Sequence, residues 1–222
     1  MSQLAQSAAS SIIIIDYGSG NLRSAEKAFA RQAKSRPVHV SGRPEDVLAG
    51  DHIVLPGVGA FGDCIDGLRA IDGMVEALEI RVLKQARPLL GICVGMQIMC
   101  RHGLERAPDT PHQGLGWFDA EVRPLAAHNG LKVPHMGWNE IAVRDTQKVV
   151  APLDGEDVYF VHGFAATPLS DKGRLAIAAT TDYGGDVTAI LARDNLIGVQ
   201  FHPEKSQQAG LGFIERFLEW QP

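Results

Sequence analysis

The chain has 222 residues, 45% of them hydrophobic and 21% charged, which suits one large α/β domain with a substantial core. Its net charge of −5 excludes the electrostatic footprint of a nucleic-acid binder or of a protein held on an anionic membrane surface. No apolar run approaches the roughly 20 residues that span a bilayer, so no membrane partner is expected. Three cysteines, Cys64, Cys93 and Cys100, with no CxxC pair, argue against a disulfide framework and a thiolate metal site. The eight histidines lack HExxH or close-paired spacing, so neither a metal nor a cofactor is expected. Residues 1–11 read as a disordered leader without a basic n-region, and residues 12–222 as one domain with reduced thiols in the cytoplasm.

Along the chain, Ile12 to Ile15 is a β-branched run of the buried, parallel-sheet kind. It ends in the turn-rich Asp16-Tyr17-Gly18-Ser19-Gly20-Asn21 and is followed by a helical stretch from Leu22 to Ala33. Short strands are predicted at Val38–Val40 and Ile53–Leu55, then helical pieces over 65–86 divided at Gly67 and Gly73. A strand over Leu89–Cys93 leads into a helix from Val94 to about Arg101. Beyond residue 115 the period shifts toward two. Strands are predicted at 118–122, 139–143, 158–161, 175–180, 187–192 and 197–201, with Asp194-Asn195 as a hairpin turn between the last two. An amphipathic helix over 208–220, with Leu211, Ile214, Phe217 and Leu218 on one face, closes the chain. One mixed-sheet α/β domain is the simplest account.

Three segments carry chemistry. Gly91-Ile92-Cys93-Val94-Gly95 has the form of a nucleophile elbow, in which flanking glycines make room for a tight strand-to-helix turn. A helix N-terminus there would favour a thiolate at Cys93. Taken alone, the same residues fit a buried cysteine in an ordinary β–α turn. Phe201-His202-Pro203-Glu204 ends a strand with a base and a carboxylate two residues apart, which places both on one side of an extended segment. Glu204 could orient His202 while the other ring nitrogen takes a thiol proton; a surface turn is the plainer alternative. Pro56-Gly57-Val58-Gly59 exposes backbone N–H groups without phosphate-loop spacing, and suits an oxyanion hole completed by the N–H of Val94.

In this order, these three motifs resemble the class I, triad-type glutamine amidotransferases, and the resemblance covers nearly the whole chain after residue 11. Within that class, Asp16-Tyr17-Gly18-Ser19-Gly20-Asn21-Leu22 and Lys132-Val133-Pro134-His135-Met136-Gly137-Trp138-Asn139 resemble two signatures of the glutaminase subunit of imidazole glycerol phosphate synthase. The resemblance implies a flavodoxin-like single domain, a mixed and mainly parallel sheet flanked by helices. It implies hydrolysis of L-glutamine through Cys93, His202 and Glu204, with the oxyanion met by Val94 and by Gly57, Val58 and Gly59. Gln97 matches a position that contacts glutamine. His162, Gly163 and Phe164 match a segment that holds the substrate carboxylate mainly through backbone. Gly163 and Phe164 depart from the usual hydroxyl residue and aromatic there, and His162 fits equally a residue packed at a strand end. The implied partner is a (β/α)8-barrel cyclase subunit that uses the ammonia, with Asn21, His135, Met136, Trp138 and Lys205 as interface candidates. Cys64 and Cys100 read as small apolar fillers. Glutaminases of pyridoxal phosphate or anthranilate synthesis, a thiol hydrolase and a catalytically silent regulatory subunit are the alternatives.

Overall fold

A computed structural model describes residues 10–107, 109–126, 130–145 and 147–222. Residues 1–9 of the expected leader lie outside the described residues. Ser10 and Ser11 are tied down: Arg36 Nη2 donates to Ser10 Oγ at 2.9 Å, and Ser11 N donates to Asp51 Oδ2 at 3.1 Å.

The first half of the chain alternates strand and helix. It contains β1 (Ile12–Ile15), α1 (Leu22–Gln32), β2 (Val38–Ser41), α2 (Pro44–Ala49), β3 (His52–Gly57), α3 (Phe61–Ala70) and α4 (Met74–Leu78). A π-helical turn over Glu79–Lys84 follows, then β4 (Leu89–Cys93) and α5 (Val94–Gln97). The second half is mostly strand: β5 (Cys100–Gly103), β6 (His112–Gln113), β7 (Phe118–Pro124), β8 (His135–Glu140), β9 (Ala142–Val143), β10 (Asp157–His162) and β11 (Phe164–Pro168). Helix α6 (Asp171–Leu175), β12 (Ile177–Asp182), β13 (Asp186–Arg193), β14 (Leu196–Val199) and α7 (Gln207–Glu219) complete it.

The main sheet has the order β2-β1-β3-β4-β14-β13-β12-β9. Strands β2, β1, β3, β4 and β14 run parallel, and β13, β12 and β9 add antiparallel pairs at the far side. Strand β1 is four isoleucines buried on both faces, as expected of a parallel strand covered by helices. Helices α1 and α7 lie against each other, and bury Phe29 and Phe213, Ile214, Phe217 and Leu218 respectively. In α7 the buried face includes Phe213, whereas Leu211 is only half-buried. No helix among the described residues is long and apolar enough to cross a membrane.

Several boundaries differ from the sequence expectations, each for a local reason. Gly67 does not break α3; a Cβ there would sit 2.9 Å from the carbonyl oxygen of Tyr17, so the glycine serves close packing. The break falls over 71–73: Ile71 is extended, and Gly73, with φ 76°, precedes α4. The helix expected from Val94 to Arg101 is a single turn, because Cys100 enters β5 and joins a four-stranded sheet of order β11-β7-β5-β6. The strand expected over 139–143 starts at His135 and splits: β8 pairs with β10, and β9 with β12. Leu175 ends α6 rather than opening a strand, and the short α2 and β11 were not anticipated.

The middle of the main sheet, where β4 lies between β3 and β14, brings the carboxyl ends of three parallel strands together. Ligands of open α/β sheets bind outside such ends. Here β3 and α5 meet backbone to backbone: a Cβ on Gly95 would lie 1.9 Å from the carbonyl oxygen of Leu55, and one on Gly57 2.4 Å from Gly95 N. Neither neighbour is a flexible side chain that could step aside. Gly95→Ala is therefore expected to lower unfolding free energy by about 3 kcal/mol, the upper end for overpacking, read as a lower urea midpoint at unchanged slope.

Candidate active site

Cys93 is the last residue of β4 and has φ 55° and ψ −113°, a region that costs a non-glycine residue of order 1–3 kcal/mol. The register holds it there, since Gly57↔Cys93 pairs β3 with β4 while Val199↔Ile92 pairs β14 with β4 one residue earlier. The turn aims Cys93 into a cavity of ≈ 340 Å³ that is also lined by Val58, Gly59, Val94, Gln97 and His202. Because α5 is one turn long, it carries little macrodipole of its own.

His202 and Glu204 meet as their spacing suggested, although by a different backbone route. The segment after His202 is a 3₁₀ turn over Pro203–Lys205, not an extended strand. Within it, His202 Nδ1 lies 2.8 Å from Glu204 Oε1, and both side chains are 3% exposed. The turn is bolted to β10: His202 N donates to the Tyr159 carbonyl at 2.9 Å, and Ser206 Oγ donates to the His202 carbonyl at 2.7 Å. Burial opposes charge on the ring, yet the neighbouring Cys93 and the hydrogen-bonded Glu204 outweigh it and lift His202 from 6.5 to about 9. At neutral pH the ring therefore carries two protons, one held toward Glu204. Cys93, His202 and Glu204 are thus candidates for nucleophile, base and orienter.

The glycine loop is anchored from behind by the turn after β1. Tyr17 Oη donates to the Pro56 carbonyl at 2.5 Å, and Ser19 Oγ donates to the Val58 carbonyl at 2.6 Å. Cys64 Sγ adds a longer contact to Val58 O at 3.4 Å. Burial, then the neighbouring Cys64, pushes the Tyr17 phenol far up, so it remains a donor. With these carbonyls drawn away, Val58 and Gly59 line the cavity beside Val94. Gly57 lies deeper, against Gly95 and Tyr17. Burial raises Cys64, and raises Cys100 to about 12, in keeping with their reading as fillers.

Gln97, His162, Gly163 and Phe164 all line the same cavity. Two further residues near Cys93 or its cavity escaped the sequence reading. Glu105 lies in the segment after β5, and its Oε2 accepts from Phe61 N at 2.9 Å. Gln200, fully buried, places Nε2 3.7 Å from Cys93 Sγ. A lone glutamate in a loop and a glutamine in an apolar strand carry no motif, and only the fold brings them here.

The interface candidates divide. Met136 and Trp138 stand out from β8 at 63% and 46% exposed, and Lys205 is exposed at the cavity rim with its Nζ 5.6 Å from the Tyr159 ring centroid. Asn21 adjoins a small recess shared with Gly57, His202 and Glu204. His135, expected at the interface, is instead buried beneath β8, because alternation along that strand turns it inward. It stacks on Phe160 and Tyr183 and places Nδ1 3.1 Å from His162 Nε2.

Burial lowers His135 to about 4, and lowers His162 and His52 to about 4 as well, the last also through Arg36. These rings bind protons more weakly folded than unfolded, so stability they contribute above 6.5 is lost as pH falls toward 4. His202 has the opposite sign: its contribution is complete below 6.5 and is lost as pH rises through about 9. The urea midpoint is expected to peak near neutrality and to fall both from pH 6.5 to 5 and from pH 8 to 10. A midpoint that stays level across either window contradicts these assignments.

The chain matches the family described as glutamine amidotransferase class-I over residues 13–219. It is 50% identical over 220 residues to imidazole glycerol phosphate synthase subunit HisH of Brucella melitensis, covering 95% of this chain and 99% of that one. The subunit of the same name from Zymomonas mobilis is 47% identical over 217 residues, with 97% and 98% covered. Among solved structures, a glutamine amidotransferase shares the fold at TM-score 0.69 and 16% identity, covering 94% of this chain and 99% of that chain. A glutamine amidotransferase from Thermotoga maritima shares it at TM-score 0.59 and 17% identity, covering 96% and 84%. The chain belongs to the class I glutamine amidotransferases, and within them to the HisH family of imidazole glycerol phosphate synthase subunits.

Proposed function

We propose that this chain, through one amidotransferase domain over 12–222, hydrolyses L-glutamine to glutamate and ammonia as the glutaminase subunit of imidazole glycerol phosphate synthase in histidine biosynthesis. The observation that carries the chemistry is the buried His202–Glu204 contact beside Cys93, opening on a cavity walled by Val58 and Gly59. Cys93 attacks the side-chain amide carbon as the thiolate, its proton already held by His202. The tetrahedral oxyanion meets the N–H of Val94 and N–H groups of the Val58-Gly59 segment. His202 then protonates the leaving amine, and ammonia departs to leave a glutamyl thioester. Water, deprotonated by the same ring, hydrolyses that thioester. Glu204 holds the ring's tautomer and its positive charge throughout.

Substrate recognition follows from what remains unsatisfied. Phe164 O accepts from His162 and Gln97, and Gly163 O accepts from Leu125 N at 2.9 Å. A substrate α-carboxylate at this segment therefore meets N–H groups, and no side-chain hydroxyl at 163 or 164 is required. Glu105 supplies the negative charge that an α-ammonium needs. Ammonia then passes to a (β/α)8-barrel cyclase, which makes imidazole glycerol phosphate and an aminoimidazole carboxamide ribotide. The exposed Met136 and Trp138, with Asn21 and Lys205 near the cavity, are the surface it would cover. The thiols and the pathway suit the cytoplasm.

In the reconstituted complex, Cys93→Ala is expected to cut glutamine-dependent product formation by at least about 10⁴-fold while synthesis from added ammonium salt persists. Loss of both would assign Cys93 to folding or assembly. Glutamine-dependent kcat/KM in the parent should decline above about pH 9, where His202 gives up the proton destined for ammonia. Glu204→Gln should lower kcat by on the order of 10⁴-fold and move that alkaline limb down; an unmoved limb would rule out Glu204 as the group that holds the proton.

A further inference from the structure

Gln200 takes no part in the chemistry above, yet its amide nitrogen is 3.7 Å from the sulfur of Cys93, an ordinary N–H to sulfur separation. It lies two residues before His202, in the bend just past the end of β14. Its backbone N continues the ladder with a 2.8 Å bond to the Ala189 carbonyl, which fixes where the side chain starts. The side chain is completely buried, so its amide cannot turn to water.

Which end of the amide faces the sulfur follows from the groups behind it. The carbonyl oxygen of Phe164 can only accept, and the terminal atom of Gln97 3.1 Å away must therefore be Nε2. That nitrogen is also 3.0 Å from a terminal atom of Gln200, which must be Oε1. The other end of Gln200, facing Cys93, is then Nε2, a donor. The Phe164 carbonyl is itself held by His162 Nδ1 at 2.8 Å. This makes His162 Nε2 an acceptor from His135 Nδ1 at 3.1 Å, and His135 Nε2 an acceptor from Asn139 Nδ2 at 3.4 Å. Every link has one allowed direction, and flipping the Gln200 amide would oppose nitrogen to nitrogen at Gln97.

We infer that Gln200 is a catalytic residue, whose side-chain N–H donates to the sulfur of Cys93 and stabilises the negative charge left there when His202 takes the proton. The inference rests on the reading of Cys93 as the nucleophile. Only a proton is transferred: it goes from the thiol to His202 Nε2, the electron pair stays on sulfur, and Gln200 keeps its hydrogens while its donor bond strengthens. Gln97 and the Phe164 carbonyl orient that donor, so Gln97 would serve the nucleophile as well as the substrate.

The test compares the intact parent chain with Gln200→Met, which keeps length and loses the donor. The measured quantity is the rate of iodoacetamide alkylation at Cys93, followed by peptide mapping across pH. His202 with Glu204 behind it, Tyr17, Cys64 and the cavity's Glu105 face this region in parent and variant alike, so their influence cancels in the comparison. In Gln200→Met the half-maximal pH is expected to rise by about one unit, a roughly tenfold loss of thiolate on the acid limb. Profiles that overlay would overturn the assignment. If Gln200→Met does not fold, Gln200→Asn, which keeps an amide but stops short of the sulfur, decides by the same criterion. Glutamine hydrolysis by the reconstituted complex is read alongside. A parent that is alkylated at Cys93 but releases no glutamate sinks the functional reading, while the alkylation shift alone judges Gln200.

Discussion

The site depends on one backbone contact, the approach of Gly95 in α5 to the Leu55 carbonyl in β3. That approach brings the turn carrying Cys93 and Val94 against the strand that leads into the Gly57-Val58-Gly59 loop. A single methyl group would separate them. In the proposed reaction the nucleophile and the glycine-loop donors come from segments more than 30 residues apart, and catalysis tolerates little error in their relative position. Two glycines facing each other's backbones give that positioning a rigid origin, because backbone, unlike side chain, has no alternative rotamer to adopt. The strained φ of Cys93 is sustained by the same contact and by the paired strands on either side of β4.

Around this core the polar groups are arranged by sign. Carbonyl oxygens near the cavity are drawn off by donors: Tyr17 on Pro56, Ser19 on Val58, His162 and Gln97 on Phe164. These carbonyl oxygens are thereby occupied as acceptors, which suits the anionic transition state of the proposed reaction. The charged groups follow the same logic. Glu204 is buried behind His202, where it supports positive charge on the ring, while Glu105 stands at another wall of the cavity. His135 and His162, in contrast, are kept neutral by burial and act as oriented dipoles.

The smaller sheets explain how a doubly wound core acquires this lining. Strands β8 and β10 pair across His135↔His162, and β11 begins two residues later, so the cavity-lining segment over 162–164 sits at a junction of two sheets. Strand β8 shows one face inward with His135 and Asn139 and the other outward with Met136 and Trp138. The surface suited to a partner and the hydrogen-bonded chain leading toward Cys93 are thus opposite sides of one strand.

Much of this was legible in the sequence because the chemistry lies in short segments. The elbow at Cys93, the His202-Pro203-Glu204 turn and the Pro56–Gly59 loop each hold their key residues within a few positions, where local sterics and spacing suffice. The β-branched run at Ile12–Ile15 and the hairpin turn at Asp194-Asn195 were readable for the same reason. Residues whose role depends on distant neighbours were not readable. Gln200 matters because Gln97, about a hundred residues earlier, turns its amide toward Cys93. Glu105 matters because β5 leaves α5 after one turn, where periodicity predicted a longer helix. His135 turned inward because β8 pairs with β10, a register that composition does not encode. Sequence alone therefore determined which atoms could react. Tertiary structure decided which hydrogen bonds orient them, because a donor's direction is set by its partner and the partners lie far apart along the chain.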